Sequence, residues 1–155
     1  MTNSVDNLRR STILIVDDEP ANVALLERLL KREGFTELLT TTQPREALRL
    51  FREHPVDLIL LDLMMPDLDG FAILETFARL IPEDSYLPIL VLTADATLPT
   101  RRRALSLGAK DFLTKPFDAI EAVLRIFNLL ETRILTLELA RHGLALPKSE
   151  RPRTD

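Results

Sequence analysis

Residues 58–70 read LILLDLMMPDLDG, an aliphatic run that turns acidic and then ends in turn-forming residues. Five of its first six side chains are large and aliphatic, so the run predicts a buried β-strand. Asp62 lies at the end of this run, where an ionised carboxylate is costly unless a partner or a cation compensates its charge. The placement of Asp62 therefore indicates a chemical role.

The composition of the chain is that of one globular domain. Its 155 residues are 46% hydrophobic and 28% charged, which is enough apolar material for one core. The net charge of −4 argues against direct binding of nucleic acid, and the lack of cysteine excludes disulfides and thiolate metal sites. The sequence has no signal-peptide pattern and no apolar run of about 18 residues, so we expect a cytoplasmic protein that does not enter the membrane.

Apolar strand-like runs alternate with amphipathic helix-like segments along the chain. The predicted strands span residues 11–18, 35–42, 56–62, 87–95 and 110–114. The predicted helices span residues 20–34, 44–54, 69–81, 98–109 and 118–143. Five strand–helix units predict an α/β fold, a doubly wound five-stranded parallel sheet with helices on both faces and an extended C-terminal helix.

The same pattern predicts the domain boundaries. We expect a flexible N-terminus over residues 1–10 and a folded domain over 11–130. Residues 131–143 continue the last helix, as a dimerisation or linker segment. Residues 144–155 are polar and contain proline, which predicts a flexible tail.

Polar side chains with complementary chemistry follow four of the five predicted strands. They are Asp17 and Asp18 after the first, Asp62 after the third, Thr93 after the fourth and Lys115 after the fifth. Taken singly, each has an ordinary explanation as a helix cap, a loop acid, a strand-end hydroxyl or a solvated lysine. The carboxyl ends of parallel strands form the ligand-binding edge of such sheets, so their joint occurrence favours one site.

Three neighbouring carboxylates repel one another and need a cation among them. Oxygen ligands without histidine or cysteine select a hard ion, which predicts Mg²⁺ as the cofactor. A lysine and a threonine beside such an ion suit a phosphoryl group, because they neutralise and hydrogen-bond its oxygens. Asp62 is then a nucleophile that can carry the phosphoryl group as a mixed anhydride.

Four motifs occur in a characteristic order: ILIVDDEP, DLILLDLMMPDLDG, PILVLTA and GAKDFLTKPF. Together they resemble the receiver domain of two-component response regulators, over about residues 11–130. The resemblance implies a flavodoxin-like, CheY-like fold. It also implies a signalling protein rather than a turnover enzyme, with a sensor histidine kinase or a phosphotransfer protein as its partner.

The resemblance also assigns roles at the site. Asp62 matches the phosphoacceptor, and Asp17 and Asp18 match the acidic pair that holds Mg²⁺. Met64 matches the position whose backbone carbonyl completes the metal shell. Lys115 matches the phosphate-binding lysine.

Further matches concern the conformational switch. Thr93 matches the switch hydroxyl, and Phe112 matches an aromatic residue that turns inward on activation and reshapes the face of the fourth helix, fifth strand and fifth helix. The Lys115–Pro116 bond is similar to one that the family holds in cis. The resemblance also places kinase contacts on the first predicted helix, at residues such as Pro20, Ala21 and Val23.

Three alternatives to a phosphorylated signalling receiver follow from the same residues. Phosphatases of the haloacid dehalogenase class also form aspartyl-phosphate, but they need a second aspartate two residues after the nucleophile, where this chain has Met64. A degenerate, scaffolding receiver is disfavoured because all the site positions are intact. A third alternative is a receiver from a longer regulator, because residues 118–143 resemble the linker helix of receivers joined to cyclic-di-GMP phosphodiesterase domains of the HD-GYP type.

The last predicted helix has a long apolar seam. Asp118 and Glu121 resemble a capping box at its start, and Gly143 is a natural stop. The helix is longer than a strand of a small sheet, so we expect its second half to project past the domain. Apolar residues alternate four and three apart along it, at Val123, Phe127, Leu130, Ile134 and Leu137. This heptad pattern predicts a parallel homodimer through the helix, with its register or strength changed by phosphorylation of Asp62. The alternative is that this half folds back or packs on an effector domain.

Overall fold

A computed structural model describes residues 4–65 and 68–144 of the chain. The helices are α1 (Ser4–Arg9), α2 (Pro20–Arg32), α3 (Pro44–Glu53), α4 (Gly70–Leu80), α5 (Leu98–Leu107) and α6 (Ala119–Arg141). The strands are β1 (Thr12–Val16), β2 (Glu37–Thr41), β3 (Leu58–Asp62), β4 (Ile89–Thr93) and β5 (Asp111–Thr114). All five strands are parallel, in the order β2-β1-β3-β4-β5, which confirms the predicted doubly wound α/β fold.

The sheet separates two hydrophobic clusters, because alternate side chains of a strand point to opposite faces. Ile13 and Ile15 of β1 point into a cluster covered by α2 and α6. Leu14 and Val16 point into a second cluster covered by α3, α4 and α5. Strand β3 is buried over its whole length, as the aliphatic run of residues 58–62 predicted.

Side-chain caps fix where two of the helices begin. Asp69 accepts a hydrogen bond from the Phe71 backbone N–H at the start of α4, as expected of an N-cap. Asp118 accepts one from the Glu121 backbone N–H at the start of α6. The predicted capping box is incomplete on the other side, since the Glu121 carboxylate binds Arg125 Nε at 3.0 Å.

The N-terminal segment differs from its prediction. We expected a flexible N-terminus over residues 1–10, whereas Ser4–Arg9 forms helix α1, which packs against α6. Leu8 is buried in the cluster beneath α2 and α6, and Arg9 Nε donates to the Glu33 carbonyl at 2.8 Å. The short polar segment is helical because one buried leucine and one arginine tie it to the domain.

The second half of α6 agrees with its prediction only in part. Up to Thr136 it stays on the domain, because Ile134 packs against the core and Thr136 is buried, whereas residues 137–144 are all exposed, as a projecting end requires. The proposed seam is therefore largely used inside the domain, and of its C-terminal members only Leu137 is exposed. The reason is that the helix crosses the amino ends of the strands and finds apolar and ionic partners there.

Two further predictions concern the tail and the membrane. The tail predicted over residues 144–155 lies outside the described residues, apart from Leu144. Within residues 4–65 and 68–144, no helix is both long and apolar enough to cross a membrane.

Candidate functional site

The predicted site residues come together at the carboxyl edge of the sheet. Asp62 and Thr93 are the last residues of β3 and β4, and Asp17 and Lys115 directly follow β1 and β5. Strand β3 lies between β1 and β4 in the sheet, so Asp62 is central. The chain order of the motifs thus becomes one cluster because parallel strands present their ends at the same edge.

Three carboxylates form the acidic part of the site. Asp17, Asp18 and Asp62 each offer an oxygen atom, and these atoms lie within 4.8 Å of one another. Asp17 and Asp62 are buried, whereas Asp18 is half-buried. Backbone N–H groups orient the two buried acids: Glu19 N donates to Asp17 Oδ1 and Met64 N donates to Asp62 Oδ1, both at 3.0 Å.

Lys115 supplies the positive charge of the site. Its Nζ lies 2.7 Å from Asp17 Oδ2 and 3.4 Å from Asp62 Oδ2. One ammonium group therefore serves two buried carboxylates, and a third carboxylate, Asp18, stands beside them. Negative charge remains in excess, and a set of carboxylate oxygens in excess of its counter-charge is suited to a hard divalent cation.

The electrostatics of Asp62 reflect this excess. Burial raises the pKa of the Asp62 carboxyl from 3.8 to about 6, and the charge of Asp17 adds to the increase. The hydrogen bond from the Met64 N–H and the nearby Lys115 ammonium act in the opposite direction, but they are outweighed. Without a cation, the folded protein thus holds a proton on Asp62 more tightly than an unfolded chain does.

Gly70 shapes the loop that follows Asp62. A Cβ atom at Gly70 would lie 2.2 Å from the Leu63 carbonyl oxygen and 2.6 Å from the Leu63 Cα. Only glycine permits this close approach, which brings the start of α4 against the residue after Asp62. Gly70 was not among the predicted site residues, although the DG pair at 69–70 is a sequence signal for a turn.

The predicted switch residues occupy two neighbouring strands. Thr93 is fully buried, and its hydroxyl oxygen accepts a hydrogen bond from the Asp95 backbone N–H at 3.1 Å. Phe112 of β5 is half-buried and packs against the cluster covered by α3, α4 and α5. The Lys115–Pro116 peptide bond is cis, as the resemblance implied.

Two predicted contact residues take different positions. The Met64 side chain, which is not the group predicted to bind the metal, is 56% exposed beside the site. On α2, Pro20 and Ala21 are exposed, but Val23 is buried and cannot contact a partner as predicted. Val23 points to the core because it lies on the apolar face of α2 with Leu26 and Leu30.

A parallel five-stranded sheet with this acidic edge defines the class of protein. The sequence pattern described as the response regulator receiver domain matches residues 13–127, and the chain belongs to that family. It is thus a receiver domain of the two-component response regulators. The competing assignment to the haloacid dehalogenase phosphatases is not favoured.

Two curated relatives illustrate the similarity. The chain is 40% identical over 115 residues to the response regulator GtcR of Aneurinibacillus migulanus, covering 74% of this chain and 46% of the relative. It is 38% identical over 119 residues to the transcriptional regulatory protein YvrH of Bacillus subtilis (strain 168), covering 77% and 48%. The chain thus spans about half the length of these relatives.

Solved structures agree with the fold. The signal receiver domain of an HD domain-containing protein from Pseudomonas fluorescens Pf-5 superposes with a TM-score of 0.76 at 27% identity, covering 89% of this chain and 96% of that one. A response regulator receiver domain protein from Clostridium thermocellum gives a TM-score of 0.72 at 30% identity, covering 81% and 98%.

Proposed function

We propose that Asp62 accepts a phosphoryl group from a phosphohistidine on a sensor histidine kinase or a phosphotransfer protein. The observation that carries the proposal is the buried Asp62 carboxylate at the centre of the site, with Asp17, Asp18 and Lys115 around it. A carboxylate that a bound cation keeps ionised can attack the phosphorus of such a donor.

The donor set fits Mg²⁺. Asp17, Asp18 and Asp62 would hold the ion, and the backbone carbonyl of Met64 is our proposed fourth protein ligand. When bound, Mg²⁺ supplies positive charge that offsets the negative charge on the phosphoryl oxygens. A site that must bind Mg²⁺ needs negative charge beyond what Lys115 neutralises, which explains the three carboxylates at this edge.

The transfer itself exchanges one bond for another. An Asp62 carboxylate oxygen forms the new bond to phosphorus while the bond from phosphorus to the donor imidazole nitrogen breaks, and the electron pair leaves with the imidazole. Lys115 Nζ, which already lies 3.4 Å from Asp62 Oδ2, neutralises charge on the transferred group. The Thr93 hydroxyl donates to a phosphoryl oxygen once it turns toward Asp62, which makes Thr93 the switch residue.

Mass spectrometry after incubation with acetyl phosphate and Mg²⁺ tests the proposal. We expect the wild-type chain to gain one phosphoryl group and Asp62→Asn to gain none. Asp57→Asn is the matched control, because Asp57 precedes the same strand at its other end and should leave the reaction intact. A wild-type protein that stays unmodified, or an Asp62→Asn variant that is modified as fully as wild type, would falsify the assignment.

The output of the reaction is a conformational signal rather than turnover of a substrate. In our proposal Thr93 moves toward the phosphoryl group and Phe112 moves inward, which reshapes the face formed by α5, β5 and α6. This face already exposes Leu98, Leu105, Ile120 and Leu124, a set of side chains suited to contact with another surface.

The partner of that face is part of the proposal. Because the chain spans about half of its curated relatives, we propose that it works in a longer regulator or alongside a separate effector. A cyclic-di-GMP phosphodiesterase domain remains one candidate effector, supported by the similarity to a receiver from an HD domain-containing protein. Assay of the intact gene product for nucleotide hydrolysis, with and without a phosphoryl mimic, tests that candidate.

We also retain the homodimer through α6, with a revised contact surface. The side chains free to meet a second copy are those on the outer side of the helix, such as Leu124 (57% exposed) and Leu135 (64% exposed). Light scattering behind size exclusion should detect a dimer that Leu124→Glu with Leu135→Glu removes. A wild-type monomer at tens of micromolar, with and without beryllofluoride, would exclude it.

A further inference from the structure

The loop between β4 and α5, residues 94–97, is held by one carboxylate. Asp95 Oδ1 accepts a hydrogen bond from the Thr97 backbone N–H at 2.9 Å, and Asp95 Oδ2 accepts one from the Thr100 hydroxyl at 2.7 Å. The Thr97 hydroxyl donates in turn to Thr100 Oγ1 at 3.2 Å. Because Thr100 lies in the first turn of α5, Asp95 fastens the loop to the start of that helix.

This fastening is not an ordinary helix cap. The N-cap residue of α5 is Thr97, and its side chain makes no capping hydrogen bond. Asp95 lies two residues earlier and reaches past the cap into the helix. The hydrogen bonds from Thr100 and then Thr97 hold the pKa of Asp95 below its usual value, so both bonds are made to an ionised acceptor and are correspondingly strong.

The backbone of the same residue sets the orientation of Thr93. The Asp95 N–H donates to Thr93 Oγ1, and the buried, β-branched Thr93 side chain has few alternative rotamers. In the described part of the chain, no hydrogen bond joins the Thr93 hydroxyl to Asp62 or Lys115. Thr93 is therefore engaged by its own loop and not by the phosphoryl site.

We propose that Asp95, through Thr97 and Thr100, is a positioning residue that keeps Thr93 away from the phosphoryl site until the loop is released. The inference rests on the proposed phosphorylation of Asp62. The fastened loop favours the conformation in which Thr93 binds the Asp95 N–H. Removing the Thr100 bond shifts the population toward the conformation that phosphorylation selects, which makes phosphorylation faster.

A purely structural role for the same hydrogen bonds leads to a different result. In that case loss of the Thr100 hydroxyl lowers the free energy of unfolding, but the surroundings of Thr93 and the rate of phosphorylation stay the same. The two roles are therefore separated by observing Thr93 and the reaction, and not by measuring stability.

The test compares variants of one hydroxyl. Thr100→Val removes the hydroxyl and keeps the shape of the side chain, and Thr100→Ser restores a donor. Thr76→Val is the matched control, because the Thr76 hydroxyl donates to the Ala72 carbonyl of its own helix, away from the loop of residues 94–97. Mass spectrometry follows phosphoryl incorporation from acetyl phosphate with Mg²⁺, and NMR records the amide signals of Thr93 and Asp95 with and without beryllofluoride.

We expect Thr100→Val to incorporate the phosphoryl group roughly threefold to tenfold faster than wild type, the range that loss of its hydrogen bond to Asp95 allows. Its free-state Thr93 and Asp95 signals should lie between the free and beryllofluoride-bound positions of the wild type. Thr100→Ser and Thr76→Val should match the wild type in both measurements. A Thr100→Val rate no higher than that of Thr100→Ser, or free-state signals that do not move, overturns the proposal.

Failure of the proposed function gives a separate result. Wild type then gains no phosphoryl group at all, and the inference about Asp95 falls with it. If wild type is modified and only the Thr100→Val effect is missing, the phosphoacceptor assignment stands and the positioning role is wrong. Thr100→Ala carries the same expectation as Thr100→Val and replaces it if thermal melts show that the valine variant does not fold.

Discussion

Asp57 and Asp62 lie at opposite ends of β3, and they differ in how the charge of each carboxylate is compensated. The Asp57 carboxylate accepts hydrogen bonds from the Thr12 backbone N–H at 2.9 Å and from Arg133 Nε at 3.3 Å. The Asp62 carboxylate faces two other carboxylates and shares Lys115 with one of them. The carboxylate at the amino edge of the sheet thus has its own counter-charge, whereas the three carboxylates at the carboxyl edge share one ammonium group.

The difference shows how one fold separates stability from reactivity. At the amino edge, α6 covers the strand ends, and Arg133 also reaches Ser85 and the Tyr86 carbonyl. At the carboxyl edge, the loop after Asp62 leaves Met64 largely in solvent. A strand-end acid is structural where the chain neutralises it and is available to a ligand where the chain leaves charge in excess.

Breaking the amino edge should have the largest effect on stability. Arg133→Met leaves the partly buried Asp57 carboxylate without its cation, which we expect to lower the free energy of unfolding by about 2–3 kcal/mol. Urea unfolding measures the change. Arg141→Met on the same helix is the control, because Arg141 is exposed and lies 3.8 Å from Glu138. A loss below about 0.5 kcal/mol, the level of an exposed pair, would show that this edge does not depend on the ion pair.

The carboxyl edge should respond with the opposite sign. The pKa of Asp62 is about 6 in the folded protein and 3.8 in an unfolded chain, so protonated Asp62 favours the folded state. This contribution to stability is fully present below pH 3.8 and is lost as pH rises through 6. In the absence of metal, Asp62→Asn should therefore be more stable than wild type by about 1–3 kcal/mol at pH 8, with the advantage shrinking toward pH 4. Urea unfolding across that pH range, in EDTA, measures the difference. Equal stability of the two proteins at pH 8 would contradict the excess of negative charge.

Bound Mg²⁺ should compensate the excess negative charge at the carboxyl edge and so stabilise the folded protein. At about ten times its dissociation constant the ion stabilises the folded state by about 1.4 kcal/mol, which raises the melting temperature by roughly 3–5 °C in a domain of this size. Thermal melts with and without Mg²⁺ give the shift. Asp17→Asn should diminish it, whereas Asp57→Asn should not. An equal shift in all three proteins would mean that the metal binds elsewhere.

The smallest expected effect concerns the exposed Met64. Its thioether offers no good hydrogen bond to an attacking water, so we expect a phosphorylated state that lasts minutes or longer. Met64→Asn should shorten that lifetime roughly threefold to tenfold by orienting the water with one hydrogen bond. Mass spectrometry after removal of the phosphoryl donor follows the decay. Unchanged or slower decay in Met64→Asn removes the argument.

Much of this comparison was visible in the sequence. Local patterns located all five strands and the helices α2 to α6, and the chemistry at the strand ends brought together Asp17, Asp62, Thr93 and Lys115. These predictions succeed because the hydrophobic period and the residue that ends each strand are local features. The parallel topology then converts sequence order into spatial proximity.

The remainder depends on distant contacts that no local pattern contains. Arg133 and Asp57 are 76 positions apart, and only the path of α6 across the amino edge brings them together. Helix α1 depends on the burial of Leu8 in the core, which the polar residues around Leu8 in the sequence do not indicate. The hydrogen bond from Thr100 to Asp95 depends on how the intervening loop folds. The sequence TADATLPT therefore indicates a turn, but it does not indicate which hydroxyl donates to the carboxylate.

The contact between α1 and α6 has a practical consequence for engineering. Helix α1 packs against α6 and buries Leu8 in the cluster covered by α2 and α6, so deleting the first ten residues would uncover part of the core. The loop between α4 and β4 is a better place for a change, because Glu83 and Asp84 are exposed and an insertion between them keeps all five strands intact. A reporter inserted there would emerge at the amino edge of the sheet, opposite the acids.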